Sequence, residues 1–161
     1  MKFVAALFIL LLASSSFASE KAIDYVLVKK VERTMQLLSG GKVIKEYDIA
    51  LGANPVGHKQ QEGDERTPEG KYTLDYKKEN SSFFRAIHIS YPNEKDKERA
   101  KAANVDPGGL IMIHGQKNGF GWLAWVSQWF NWTNGCIAVT NSEMAEIWAL
   151  VKVGTPIEIQ P

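Results

Sequence analysis

Thr133-Asn134-Gly135-Cys136-Ile137-Ala138-Val139 sets a cysteine directly behind a glycine, at the mouth of a short apolar run. Cys136 to Val139 reads as a buried strand, so the thiol stands at a strand end where it can face a cleft. Gly135 allows the backbone to come close to another group. The amides of Gly135 and Cys136 lie where an oxyanion formed by thiol attack needs donors. An inert, buried strand cysteine is the alternative, and only a nearby base separates the two readings.

A candidate base lies upstream. Leu110-Ile111-Met112-Ile113 is an apolar run of the buried-strand type that ends in His114-Gly115. The thiolate is the nucleophile and a free thiol titrates near pH 8.5, so an adjacent imidazole changes what a cysteine can do. Two strand ends 22 positions apart can be neighbours in one sheet, but spacing alone leaves that open. His88, within Ile87-His88-Ile89, alternates away from the isoleucines and reads as structural or solvent-facing. His58 lies in a loop punctuated by Gly52, Pro55, Gly57, Gly63, Pro68 and Gly70 and is expected to be exposed. No metal-ligand spacing, phosphate-binding glycine loop or Gly-x-Ser-x-Gly elbow occurs, so neither metal nor cofactor is expected.

The rest of the chain reads as mainly β with two or three short helices. Asp24–Lys30, Arg33–Leu38 and Lys42–Leu51 form a meander, with Gly40-Gly41 as a hairpin turn. Lys71–Lys77, Phe84–Tyr91 and Pro156–Gln160 are further strands, and Asn93–Ala103 is a short surface helix. Thr140 and Glu143 form a capping box that opens a helix over Thr140–Val153, burying Met144, Ile147, Trp148 and Val151. Between base and nucleophile lie Phe120, Trp122, Trp125, Trp129, Phe130 and Trp132, which suit either a lid over the cleft or ordinary core.

Residues 1–18 read as a signal peptide. Lys2 gives the positive region, Phe3–Leu12 the apolar run, and Ser16 and Ala18 the small residues of a cleavage site. The run is short of the roughly 20 apolar residues a spanning helix needs, and a retained anchor or buried first helix is the alternative. Residues 19–161 then make one domain outside the cytoplasm, with no membrane span after signal removal. The chain carries 19 basic and 18 acidic residues, with no basic stripe, so nucleic acid is excluded as a partner. Its single cysteine rules out an internal disulfide.

His114-Gly115, a variable loop, and Thr133-x-Gly135-Cys136-Ile137 together resemble the signature of the L,D-transpeptidase catalytic domain (YkuD type). Thr67-Pro68-Glu69-Gly70-Lys71-Tyr72, Gly63-Asp64-Glu65-Arg66 and Ile89-Ser90-Tyr91-Pro92-Asn93 extend the likeness over most of the chain after residue 18. The resemblance implies a mixed β-sandwich or barrel in the periplasm, acting as a monomer on peptidoglycan stem peptides, with an envelope lipoprotein as a further partner. It implies Cys136 as nucleophile, His114 as base, Gly115 as the carbonyl that orients the imidazole, and Gly135 and Cys136 as oxyanion donors. Asn134, Thr133, Trp132, Tyr91, Arg66 and Lys71 are candidate substrate contacts. Asn134 stands where many members have histidine, and Ala138 where many have Arg or Asn. The expected activity is acyl transfer through a thioester, serving cell-wall biogenesis and cell shape. The alternatives are a hydrolase on the same residues (an L,D-carboxypeptidase, or an amidase cleaving cross-links or lipoprotein), a non-catalytic peptidoglycan-binding domain, and a redox-sensing thiol.

Overall fold

The computed structural model describes residues 22–161, and the expected signal peptide lies outside them. Strand β1 (Tyr25–Lys29) buries Val26 and Val28, and β2 (Thr34–Ser39) buries Met35 and Leu37, as period-two alternation requires. Gly40 and Gly41 both take positive φ and turn the chain into β3 (Lys42–Asp48), whose face is exposed except at Tyr47. The strands that follow are β4 (Gly70–Lys78), β5 (Ala86–Ile89), β6 (Met112–His114), β7 (Ile137–Ala138) and β8 (Thr155–Gln160). The helices are α1 (Glu94–Ala103), α2 (Ala124–Ser127) and α3 (Asn141–Leu150), with a short 3₁₀ turn at Gly121–Leu123 leading into α2.

Among the described residues, all eight strands form one sheet in the order β3-β2-β1-β8-β4-β5-β6-β7. The C-terminal strand is inserted at its centre, parallel to β1 and antiparallel to β4. The sheet curls until its two ends meet. Beyond β3, Ala50 exchanges both backbone bonds with Ala138 of β7, at 2.9 and 2.8 Å. The result is the curled, barrel-like β fold expected from the sequence. Ile87, Ile89, Ile113, Ile137 and Ile157 fill its interior together with Met144 and Ile147 of α3. Burying each such side chain contributes roughly 1.5–3 kcal/mol.

Local signals hold at the helices. Thr140 and Glu143 form the reciprocal capping box of α3, and Asn93 and Asp96 form another at α1. α3 stops at Leu150 rather than running to Val153, because Val151 takes an extended backbone and turns inward to bury its side chain. Leu110 also departs from the strand reading. It has φ +54° and is largely exposed, so β6 begins only at Met112. Among the described residues no helix is long and apolar enough to cross a membrane.

Candidate active site

β6 and β7 run parallel, with Ile113 opposite Ile137 and His114 opposite Ala138. One residue back in that register, Cys136 falls opposite Met112, which makes Cys136 and His114 diagonal neighbours on one face. Both line a cavity of about 160 Å³, together with Phe83, Trp132, Thr133 and Asn134. The sheet pairing therefore brings together the two residues that the spacing left apart.

The imidazole is fixed from two sides. His114 Nδ1 lies 2.6 Å from the carbonyl oxygen of Gly115, so Nδ1–H donates there and the lone pair resides on Nε2. Phe83 covers the ring at a centroid separation of 4.1 Å, and Trp132 stands edge-on at 6.0 Å. Burial holds the His114 pKa below the usual 6.5, against the opposing bond to Gly115. Burial also pushes the Cys136 thiol up, opposed by the Met112 amide and the charge of Lys59. At neutral pH the resting pair is thus a neutral thiol beside a neutral imidazole. The thiol sits 3.6 Å from the Leu110 carbonyl, which the left-handed backbone of Leu110 turns toward it.

The turn ahead of the cysteine has no slack. Gly135 has φ +119°, and a Cβ there would lie 2.6 Å from the Arg66 carbonyl oxygen and 3.2 Å from Ile111 Cδ1. Thr133 Oγ1 accepts from the Gly135 amide at 3.1 Å and donates to the Cys136 carbonyl at 2.7 Å. That bond occupies the Gly135 N–H, which the sequence offers as one of two oxyanion donors. The Thr133 hydroxyl thus ties the turn together, with one lone pair left over.

A family model for the L,D-transpeptidase catalytic domain (YkuD) matches residues 23–159. The chain belongs to that family. YafK of Escherichia coli K12 and YqjB of Bacillus subtilis 168, both named as candidate L,D-transpeptidases, are 29% and 27% identical to it. These matches cover 79% and 84% of this chain, and 46% and 70% of the relatives. Among solved structures, the helical cell shape determining protein Pgp2 of Campylobacter jejuni (K307A mutant) is 25% identical with a TM-score of 0.65. An L,D-transpeptidase from Mycobacterium smegmatis shares the fold at 16% identity and a TM-score of 0.58, with 87% of this chain and 59% of that one covered. The chain spans about half of YafK and of the Pgp2 structure, covering 46% and 49% of them against 79% and 88% of itself.

Within this L,D-transpeptidase domain the other sequence candidates divide. Asn134 and Trp132 line the thiol cavity, and the buried Trp132 Nε1 has no partner there. Tyr91 does not line it: the ring is buried and its hydroxyl donates to the Pro107 carbonyl at 2.9 Å. Arg66 backs Gly135 through its carbonyl, and its side chain is outside the cavity lining. Lys71 lies in a different depression, beside α1. His58 is half-buried, not exposed, because the Glu69 amide donates to Nδ1 at 2.9 Å and Asp96 Oδ1 sits 3.1 Å from Nε2. His88 is structural, with Asp75 at 2.7 Å and Tyr76 stacked on it at 4.4 Å.

The aromatic segment is no core. Trp122, Trp125 and Trp129 are 70%, 73% and 75% exposed, and Phe130 is also exposed. It is tied down at its polar atoms instead. Ser127 Oγ donates to Gln116 Oε1 at 2.7 Å, and Gln116 Nε2 donates to the Val139 carbonyl at 2.8 Å. Arg33 donates to the carbonyls of Gln128 and Trp129 at 2.5 and 3.0 Å. Sequence reasoning missed Phe83, Lys59, Gln116 and Asn141. Asn141 Oδ1 accepts from the Gln116 amide at 2.8 Å and fills the space a Cβ on Gly115 would need. Only the pairing of distant segments reveals these four.

Proposed function

We propose that this protein is an exported, monomeric cysteine acyltransferase that acts on peptidoglycan stem peptides in the periplasm. The observation that carries the reading is the pinned imidazole: Nδ1–H is held by Gly115, leaving Nε2 as the basic atom in a cavity shared with Cys136. Nε2 takes the thiol proton as Sγ attacks the carbonyl of the diamino acid that precedes D-alanine. The Cys136 amide, at the mouth of β7, is the backbone donor proposed for the oxyanion while Gly135 N–H stays on Thr133. His114 then returns the proton to the departing amine as the C–N bond breaks, releasing D-alanine and leaving a thioester. An incoming amine attacks the thioester, His114 removes its proton, and the thiol is regenerated. A stem-peptide amine gives a cross-link, a lipoprotein lysine gives anchoring, and water gives hydrolysis.

Two features support transfer to an amine. His114 is buried and Cys136 partly so, burial disfavours the charged form of each, and the tethered segment over residues 120–132 suits a cover that limits water entry. The relatives' names, which include L,D-transpeptidases and a cell shape protein, support the same setting in cell-wall biogenesis. Muropeptide mass spectrometry of sacculi and disaccharide-tetrapeptides tests it, with Cys136→Ala alongside. Cross-linked dimers formed by wild type alone establish transfer. Loss of cross-links or of lipoprotein remnants with wild type alone makes the enzyme a hydrolase. Identical profiles for the two proteins refute acyl chemistry at Cys136.

A further inference from the structure

A cavity of about 400 Å³ lies where the aromatic segment meets the β1–β2 turn, walled by Glu32, Arg33, Asp48, Ile49, Gln128 and Trp129. It shares no lining residue with the thiol cavity. We propose that Gln128 and Trp129 form a subsite here for an N-acetylhexosamine of the glycan strand. The inference rests on the reading of peptidoglycan as substrate and adds a sugar contact to the recognition of the stem peptide.

Gln128 lines this cavity, but its side-chain Oε1 and Nε2 are buried and hydrogen-bond to nothing among the described residues. Buried polar groups are almost always paired, so an amide open at both atoms calls for a partner. That partner must offer one donor and one acceptor, which an alkyl chain, a bare cation and a bare anion all lack. The acetamido group of an N-acetylhexosamine offers both, its N–H to Oε1 and its carbonyl to Nε2–H. The side chain's rotatable torsions let the Gln128 amide turn to the cavity face. Trp129, next in the chain, supplies the other half of the site on the same cavity, and its ring is mostly exposed. An indole is an apolar plane with a polar N–H edge. A pyranose ring has an apolar C–H face and a rim of hydroxyls, so the two surfaces match when stacked.

The walls are held together by one side chain. Arg33 donates from Nε to the Ile49 carbonyl at 3.2 Å, and from its two terminal nitrogens to the carbonyls of Gln128 and Trp129. The β1–β2 turn, the chain beyond β3 and the end of α2 are thereby fixed around the cavity. Charge favours an uncharged partner. From Pro107 to Ser142 the only Lys, Arg, Asp or Glu is Lys117, so the aromatic face lacks the basic cluster that holds an anionic lipid surface. Reach agrees as well. Trp129 stands three residues before Trp132, which lines the thiol cavity, and three residues span at most about 10 Å. Ile49 precedes Ala50, whose backbone pairs with Ala138, two residues after Cys136. In the substrate the reacting carbonyl belongs to the third residue of a stem whose first residue is joined to the sugar, an extended reach also on the order of 10 Å.

Binding to Cys136→Ala protein separates recognition from turnover. The probes are a disaccharide-tetrapeptide, the same tetrapeptide without sugar, the trimer of N-acetylglucosamine and the trimer of glucose. The disaccharide-tetrapeptide is expected to bind at least about tenfold tighter than the bare tetrapeptide, and the N-acetylglucosamine trimer at least about tenfold tighter than the glucose trimer. Adding Trp129→Ala should erase the first preference and leave the affinity of the bare tetrapeptide unchanged. Adding Gln128→Leu, which keeps the side chain's bulk without its amide, should erase the preference between the trimers. Trp129→Ala alters an exposed side chain and serves if Gln128→Leu does not fold. Trp122→Ala, outside the cavity, should leave both preferences in place. Equal binding within either pair, a preference that survives its variant, or the same loss with Trp122→Ala overturns the proposal. Vesicle binding or self-association that depends on Trp129, without a sugar preference, overturns it in favour of a membrane or a second copy. With wild type at low substrate concentration, thioester formation at equal rates from both peptides overturns the subsite alone. Sugar-dependent binding with no thioester from either peptide overturns the acyl-transfer reading alone.

Discussion

Phe83 lies against His114 with ring centroids 4.1 Å apart and planes inclined by 33°. That contact keeps water from the imidazole, and burial lowers the His114 pKa against the raising effect of the Gly115 bond. Neutral His114 is the form able to accept the thiol proton, and protonation removes it. A lowered pKa shifts that loss to more acidic pH, so the acid limb of kcat/KM should fall below pH 6.5. Phe83→Ala should move the limb upward toward 6.5. A limb above 6.5 in wild type, or one indifferent to Phe83, would contradict this cause.

Thiol alkylation without substrate gives the complementary limb. Burial raises the Cys136 pKa, so its iodoacetamide reactivity should rise only above the free-thiol range of about 8.5. Lys59→Gln removes a charge that favours the thiolate and should move the rise to still higher pH. A profile rising well below 8 would indicate a resting ion pair instead.

Gly135→Ala places a methyl group 2.6 Å from the Arg66 carbonyl oxygen at a backbone φ of +119°. The strained backbone and the clash together should cost at least about 2 kcal/mol of stability by chemical denaturation. Wild-type stability would mean that the three segments meeting at Gly52, Arg66 and Gly135 are looser than they stand.

Arg33, in the β1–β2 turn, holds the carbonyls that close α2. Arg33→Ala should raise hydrogen exchange across Gln128–Asn131 about tenfold, the loss of roughly one charge-assisted bond. Exchange in β1 and β8 should not change. Unchanged exchange there would show that Gln116 and Ser127 suffice to hold the segment.

Asp64 anchors the buried end of Lys59 and accepts from the amides of Gln60, Gln61 and Arg66. Burial alone would raise its pKa, but these bonds together hold it below the usual carboxylate range. Its contribution to stability is therefore present above the unfolded pKa near 4 and lost as pH falls through the lower folded value. Asp64→Ala should destabilise by about 3–5 kcal/mol, because it leaves a buried ammonium unpaired. Acid denaturation curves of the two proteins check both statements.

What was legible in the sequence was local. The alternation of Val26 and Val28, the Gly40-Gly41 turn and the Thr140–Glu143 capping box each depend on residues a few positions apart, and each appears in the structure. The insertion of β8 between β1 and β4 was not legible, since it joins segments about 130 positions apart. Helical spacing of Trp122, Trp125 and Trp129 suits lid and core equally, but α2 has four residues and holds only Trp125, and all three tryptophans face outward. Tyr91 and Arg66 have the chemistry of substrate contacts, but the Tyr91 hydroxyl donates to the Pro107 carbonyl and Arg66 meets Gly135 through its own carbonyl. Burial of Lys59 is not legible in the sequence, because a lysine in a charged loop ordinarily faces water, and only Asp64 and the fold bury it.

Intact-protein mass spectrometry after incubation with disaccharide-tetrapeptide, with free D-alanine measured in parallel, bears most directly on the pairing of Cys136 with His114. Wild type should gain the mass of the substrate less one D-alanine and release D-alanine in at least equal amount. His114→Ala should do so at least about a hundredfold more slowly, and Cys136→Ala not at all. D-alanine release by Cys136→Ala equal to wild type, or a substrate that yields neither adduct nor product with wild type, would contradict thioester chemistry at this site.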